Sequence, residues 1–216
     1  MSLAYKISAW NRKRKLKLFL KEFQPTTETT ILDTGFQDEE YTGTENFLEK
    51  NFSYLNQITA LSLDAPKASL ATYPNLRVVT YDGKVFPFPD QSFDICWSNA
   101  VLEHVGTEEQ QVLFLKEIKR VAKTAFITTP NKYFPIEVHT LTPLLHFLPK
   151  EIFDRYLSLI GKEWAAGDYM KLLSVWDVHR LLHKAGVKNY KIFKNRFFSL
   201  SYGLRYRFLS RLEVTR

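Results

Sequence analysis

Apolar and polar positions run in short blocks whose period changes along the chain. Residues 1–24 read as a basic helix, broken by Pro25-Thr26-Thr27. Thr30-Ile31-Leu32-Asp33 is a short apolar run that ends in an acid, two residues before Gly35. A helix is predicted over 44–51, and a strand over Gln57–Leu63, which alternates and ends at Asp64. A short helix follows over 66–72, then a third strand, Leu76–Thr80, stopped at Tyr81-Asp82-Gly83. Phe93–Ser98 is a fourth strand. Thr107–Ala122 carries apolar residues at 112, 113, 115, 118 and 121, with Thr107 as N-cap ahead of Glu108 and Glu109. Residues 124–129 form a fifth strand, closed by Pro130. From about 131 to 172 the alternation gives way to Pro, His and aromatic residues, read as loops and helices over the sheet edge. Ser174 caps a helix through Lys184, ended by Ala185-Gly186; a sixth strand spans 187–193, and a last one near 203–210 returns antiparallel.

Strands that alternate with helices give an α/β fold with right-handed crossovers. The expectation is a seven-stranded, mostly parallel sheet with helices on both faces and its last strand antiparallel. In such sheets ligands lie beyond the carboxyl ends of the strands, where the strand order reverses. Those ends carry Asp33, Asp64, Asp82, Ser98-Asn99 and Thr129-Pro130-Asn131. One acid at a strand end is commonly a solvated loop residue; three ending the first three strands suggest a site.

Composition removes several classes. A single cysteine in 216 residues excludes an intramolecular disulfide framework and a cysteine-based zinc site, which suits a reducing cytoplasm. No apolar run reaches the ~18 residues of a membrane-spanning helix, and no signal peptide is visible. The net charge of +7 is uneven. Residues 1–24 carry seven Lys or Arg and one acid (+6), residues 184–216 nine and one (+8), so residues 25–183 carry −7. Basic ends on an acidic body fit a solvated helix and a charged strand pair, an anionic membrane surface or lipid-linked substrate, or a nucleic acid.

The order of motifs resembles the class I S-adenosylmethionine-dependent methyltransferases, specifically the type 11 group, over about 30–190. Phe86-Pro87-Phe88-Pro89-Asp90-Gln91-Ser92-Phe93-Asp94 is similar to the family's LPFPDxSFD before its fourth strand. Ser98-Asn99-Ala100-Val101-Leu102-Glu103-His104-Val105, Glu117–Val121 and Thr128-Thr129-Pro130-Asn131 follow in the family's order. The resemblance implies a Rossmann-like fold and S-adenosyl-L-methionine as cofactor. It implies that Asp33 and Gly35 begin the loop facing the methionine part. Asp64 would accept the ribose hydroxyls, Asp82 with Gly83 would meet the adenine amine, and Ser98 and Asn99 would floor the sulfonium. Two departures stand out. The family's D-x-G-x-G-x-G becomes Asp33-Thr34-Gly35-Phe36-Gln37-Asp38-Glu39, without two glycines, and strict register puts Ser62 where the ribose acid is usual.

Methyl transfer to a hydroxyl benefits from a base. His104, after the fourth strand, and His139, in the loop after the fifth, are the catalytic candidates, each against a structural histidine. Glu103, His104, Glu137 and His139 lack tight ligand spacing, so no metal is expected. His179 and His183 read as packing or surface residues, and Cys96 as a core thiol. The chain divides into a basic N-terminal helix (1–24) and a methyltransferase domain (25–216) whose acceptor lid, at about 131–172, includes Phe134, Phe147, Leu148, Trp164 and Tyr169. The expected activity is methyl transfer to oxygen of a small-molecule or lipid- or glycan-linked acceptor, in the cytoplasm or at the inner membrane face. The alternatives are a non-catalytic binding subunit and, less favoured, an RNA or DNA methyltransferase, since Pro130-Asn131 lacks the N-P-P-Y pattern of base-directed enzymes.

Overall fold

The computed structural model describes residues 3–40, 43, 45–134, 136–137, 142–167, 171–194 and 201–207. The chain begins with α1 (Leu3–Phe23) and β1 (Ile31–Asp33). Then come α2 (Phe47–Asn51), β2 (Ile58–Ser62), α3 (Ser69–Thr72), β3 (Arg77–Thr80), β4 (Phe93–Asn99), α4 (Glu108–Val121) and β5 (Ala122–Pro130). A two-stranded ribbon, β6 (Ile136–Glu137) with β7 (Thr142–Pro143), precedes α5 (Lys150–Leu159). The last elements are α6 (Val175–Lys184), β8 (Tyr190–Lys194) and β9 (Ser201–Arg207).

The main sheet runs β3-β2-β1-β4-β5-β9-β8. The first five strands are parallel, and β9 pairs antiparallel with both β5 and β8. This is an α/β Rossmann-like fold with a mostly parallel sheet. The strand order reverses between β1 and β4, where crossovers depart to opposite faces and leave a crevice.

Each face has its own core. On one, Leu32, Leu61, Cys96 and Ile127 meet Phe114, Leu115 and Ile118 of α4 and Val178, Leu181 and Leu182 of α6. Both helices start with a capping box, Thr107 with Gln110 and Ser174 with Asp177. On the other, Leu16 and Phe19 of α1 and Phe47 and Leu48 of α2 cover Ile31, Ile58, Ile95, Trp97 and Phe126. The basic helix therefore lies on the sheet, with Phe19 edge-on to Trp97 at 4.9 Å. Its charges divide: Lys13, Lys17 and Lys21 are exposed along one face, while Arg12 and Lys15 are partly buried.

The Phe86–Asp90 segment is a strap held by α4. Arg120 donates to the carbonyls of Phe88 (2.6 Å) and Phe86 (2.8 Å), and Glu117 Oε2 accepts from Phe86 N–H at 2.8 Å. The Arg120–Glu117 contact, 2.7 Å, locks both side chains. Arg120→Ala strands two carbonyls and a buried carboxylate, with an expected cost of about 2–3 kcal/mol in urea unfolding. A loss below about 0.5 kcal/mol would mean the strap holds itself.

Candidate active site

The first loop explains how the chain manages without two motif glycines. Asp33, buried at the end of β1, accepts from Gly35 N–H at 2.7 Å. A Cβ on Gly35 would stand 3.0 Å from Val101 Cγ2 and 3.7 Å from Asn99 O, so the loop passes close over the end of β4. Phe36 points into the core, edge-on to Tyr73 at 6.1 Å. Asp38 leaves the crevice to accept from Lys67, Ala68 and Ser69 N–H and from Ser69 Oγ. Those four bonds hold its carboxyl well below the usual range. Glu40 is tied to Lys50 (2.5 Å), Tyr73 OH (2.6 Å) and Asn46 Nδ2 (2.9 Å). Asn46, at φ 46°, supplies a left-handed turn and brackets Gln37 N–H and C=O with its side chain. Asp38 and Glu40 are thus spent on shaping the loop.

A pair of carboxyls lies beneath that loop. Neither oxygen of buried Glu49 has a hydrogen-bond partner among the described residues, and Glu49 and Asp33 act on one another. Burial pushes Asp33 up to about 6, and burial with the Asp33 charge pushes Glu49 up as well. Both acids then favour the fold while protonated. That stability is complete below about pH 4 and is lost as pH rises through 6. Glu49→Gln is expected to unfold about 1–3 kcal/mol later than the parent at pH 8 and at the same free energy at pH 4. Equal stability at both values would contradict a protonated pair.

Ser62 ends β2, buried, and its Oγ accepts from Asp64 N–H at 3.2 Å. Asp64 itself is exposed. Asp82 is exposed too, and its Oδ1 accepts from Lys84 and Val85 N–H, which holds it below its usual range. Gly83 turns at φ 80°, with Leu63 Cδ2 3.4 Å from where its Cβ would be. Leu63 and Val85 leave 63% and 58% of their surface exposed, an apolar pair open to a flat ring.

At the ends of β4 and β5, Ser98, Thr128, Thr129 and Glu103 are buried. Ser98 Oγ has no partner among the described residues, and Ala100 stands in strained left-handed backbone at φ 60°. Asn99 Oδ1 accepts from Thr128 Oγ1 (2.8 Å) and Lys15 Nζ (3.0 Å). Glu103, 1% exposed, accepts from Thr129 Oγ1 at 2.9 Å through Oε2, while Oε1 has no partner among the described residues. His104 is beside it in the helical turn Leu102–His104, partly exposed. His139 lies outside the described residues, as does Tyr169, and nothing is described of the Trp164 side chain. Phe134 is buried; Phe147 and Leu148 are exposed. Among the described residues no three potential ligands gather around a metal, and no helix is long and apolar enough to cross a membrane.

Residues 42–125 match the sequence profile of the family described as "Methyltransferase domain", type 11. Over this stretch the chain is similar to the type 11 class I methyltransferases. A SAM-dependent methyltransferase from Aquifex aeolicus has the same fold, with TM-score 0.57, 18% identity and coverage of 89% of both chains. So does a Burkholderia thailandensis 1,6-didemethyltoxoflavin-N1-methyltransferase crystallised with S-adenosylhomocysteine, with TM-score 0.55, 12% identity and coverage of 92% of this chain and 78% of that one. The "Probable tRNA methyltransferase 9B" of Bos taurus is 32% identical over 115 residues, 52% of this chain. The aligned stretch spans only 22% of that relative's length.

The residues present fit the family's cofactor. Close backbone approach at Gly35 leaves room for a ligand chain, and Ser98 Oγ and Glu103 Oε1 are buried polar atoms without a partner among the described residues. The structure also brings in residues the sequence did not single out. Arg12 and Lys15 reach the crevice from α1, where a run of basic residues hid which of them face inward. Their signal was the apolar spacing of Leu16, Phe19 and Phe23.

Proposed function

We propose that this chain transfers the methyl group of S-adenosylmethionine to an oxygen of an anionic small-molecule or lipid- or glycan-linked acceptor. The observation that carries this is the convergence of Gly35, Ser98, Asn99 and Glu103 where the strand order reverses, with two buried polar atoms that have no partner among the described residues. Leu63, Gly83 and Val85, with Asp82, form the adenine end, and Ser62 with Asp64 the ribose end. Gly35 and Arg12 serve the methionine end, where burial lowers the Arg12 pKa and the nearby Glu45 opposes that shift. When bound, the cofactor supplies a methyl group already activated on a sulfonium. The chain's residues align the acceptor and keep water out.

Acceptor binding is assigned to the cleft of about 380 Å³ between α5, α4 and α6. Lys132, Lys171 and His146 line it, and neither lysine has an ion-pair partner among the described residues. Lys171 N–H donates to Glu103 C=O at 2.8 Å, which ties the cleft to the β4 end. Two free ammonium groups favour a phosphate or carboxylate. The exposed Lys13, Lys17 and Lys21 would hold an enzyme of lipid-linked substrates at the cytoplasmic membrane face.

Amide hydrogen exchange with and without S-adenosylhomocysteine tests the site. Protection is expected at 33–37, 62–64, 82–85 and 98–101; protection elsewhere, or none, contradicts it. A tRNA acceptor is the second reading, favoured by the similarity to a probable tRNA methyltransferase. It predicts tRNA binding that weakens steeply with salt.

A further inference from the structure

Lys15 is held at the centre of this site. Its Nζ donates to Asn99 Oδ1, and Thr128 Oγ1 donates to the same oxygen, so the amine is fixed beyond the end of β4. Asn99 O lies in turn against Gly35. The charged groups acting on Lys15 are Arg12, on the same helix, and Glu103, after β4; Glu45, in the first loop, acts on Arg12. Asp33 ends the neighbouring β1 with its partner Glu49. Desolvation, then Arg12, bring Lys15 from 10.5 down to about 7, against the pull of Glu103.

An ammonium here would stand beside a cationic sulfonium in a poorly solvated crevice, where like charges repel strongly. A neutral amine avoids that and keeps a lone pair while still donating to Asn99. Resting on the function proposed above, we propose that Lys15 is the proton acceptor for the acceptor hydroxyl, neutral while a sulfonium is bound and an ammonium after the methyl group has left. In that step the hydroxyl oxygen's electron pair forms the new O–C bond. The S–C pair remains on sulfur as a neutral thioether, and the O–H proton passes to the Lys15 amine. One positive charge is present before and after, so the site need not reorganise around a change of charge.

The test is calorimetric titration of S-adenosylmethionine and S-adenosylhomocysteine into the full chain at pH 7, each in two buffers of different ionisation enthalpy. The two ligands share every ionisable group and differ in the sulfonium. With Lys15 half protonated near pH 7, the sulfonium ligand is expected to release about 0.5 proton more than the thioether. Lys15→Met should abolish the difference. Lys15→Arg, which stays charged, should bind the thioether normally and the sulfonium at least tenfold more weakly. Binding of both ligands with equal proton release in the parent overturns the role of Lys15 and leaves the cofactor reading intact. Binding of neither ligand overturns both.

Discussion

Phe19→Ala is expected to destabilise the protein by about 3–5 kcal/mol, the cost of emptying a fully buried aromatic site. Phe19 has no exposed surface and packs on Trp97 at 4.9 Å, Phe23 at 5.2 Å and Phe126 at 5.7 Å. For a chain of this size the melting midpoint should fall by roughly 6–20 °C. The same substitution also loosens the seat of Lys15 and Arg12, so cofactor affinity should fall with stability. Lys17→Ala, on the exposed side of the same helix, should stay within about 0.5 kcal/mol of the parent. A solvated or purely membrane-directed arm would give two small effects; thermal unfolding of both variants separates the cases.

Gly35→Val carries the other large effect, and it falls on binding. The added Cβ meets Val101 Cγ2 at 3.0 Å, and Asp33 Oδ1 and Asn99 O at 3.5 and 3.7 Å. The first contact is relieved only by moving Val101 or lifting the loop off β4, and the remaining methyl groups fill the space between the two strand ends. We expect S-adenosylhomocysteine affinity to fall by at least about 100-fold, with only about 1–3 kcal/mol lost from folding. Gly35→Ala should lose about tenfold, because one methyl group can be met by a rotation of Val101. Calorimetry well below the melting midpoint checks both. Unchanged affinity in Gly35→Val would place the ligand elsewhere.

What the sequence made legible was short-range. The alternation at 58–62, the apolar face of α4 and the caps at Thr107 and Ser174 depend on neighbours within one or two turns, and each lies within a few residues of its expected place. Asp33, Gly35, Gly83, Ser98 and Asn99 fall at strand ends for the same reason. The partners of the first loop were not legible. Asp38 is satisfied by backbone about thirty residues away at 67–69, and Glu40 by Tyr73 and Lys50, so acids that look hostile to an anionic ligand are turned aside. Burial was hidden as well. Glu49 looks like an ordinary helix-surface acid in sequence, yet it is buried, as is Glu103. Leu113, expected on the buried face of α4, is exposed, and Gln111 is buried, donating to Leu102 C=O at 3.0 Å. A polar group whose bond is made across the fold takes a place that periodicity would give to an apolar one.

The most direct measurement is the dissociation constant of S-adenosylmethionine and S-adenosylhomocysteine for the purified chain. The glycine-poor loop is built to approach β4 closely, and the atoms at Ser98 and Glu103 that have no partner among the described residues lie at the same strand end. Binding of both ligands in the micromolar range, lost in Gly35→Val, is the predicted result. No saturable binding of either ligand up to millimolar concentration would contradict the account and leave a methyltransferase-like domain that serves as a binding subunit.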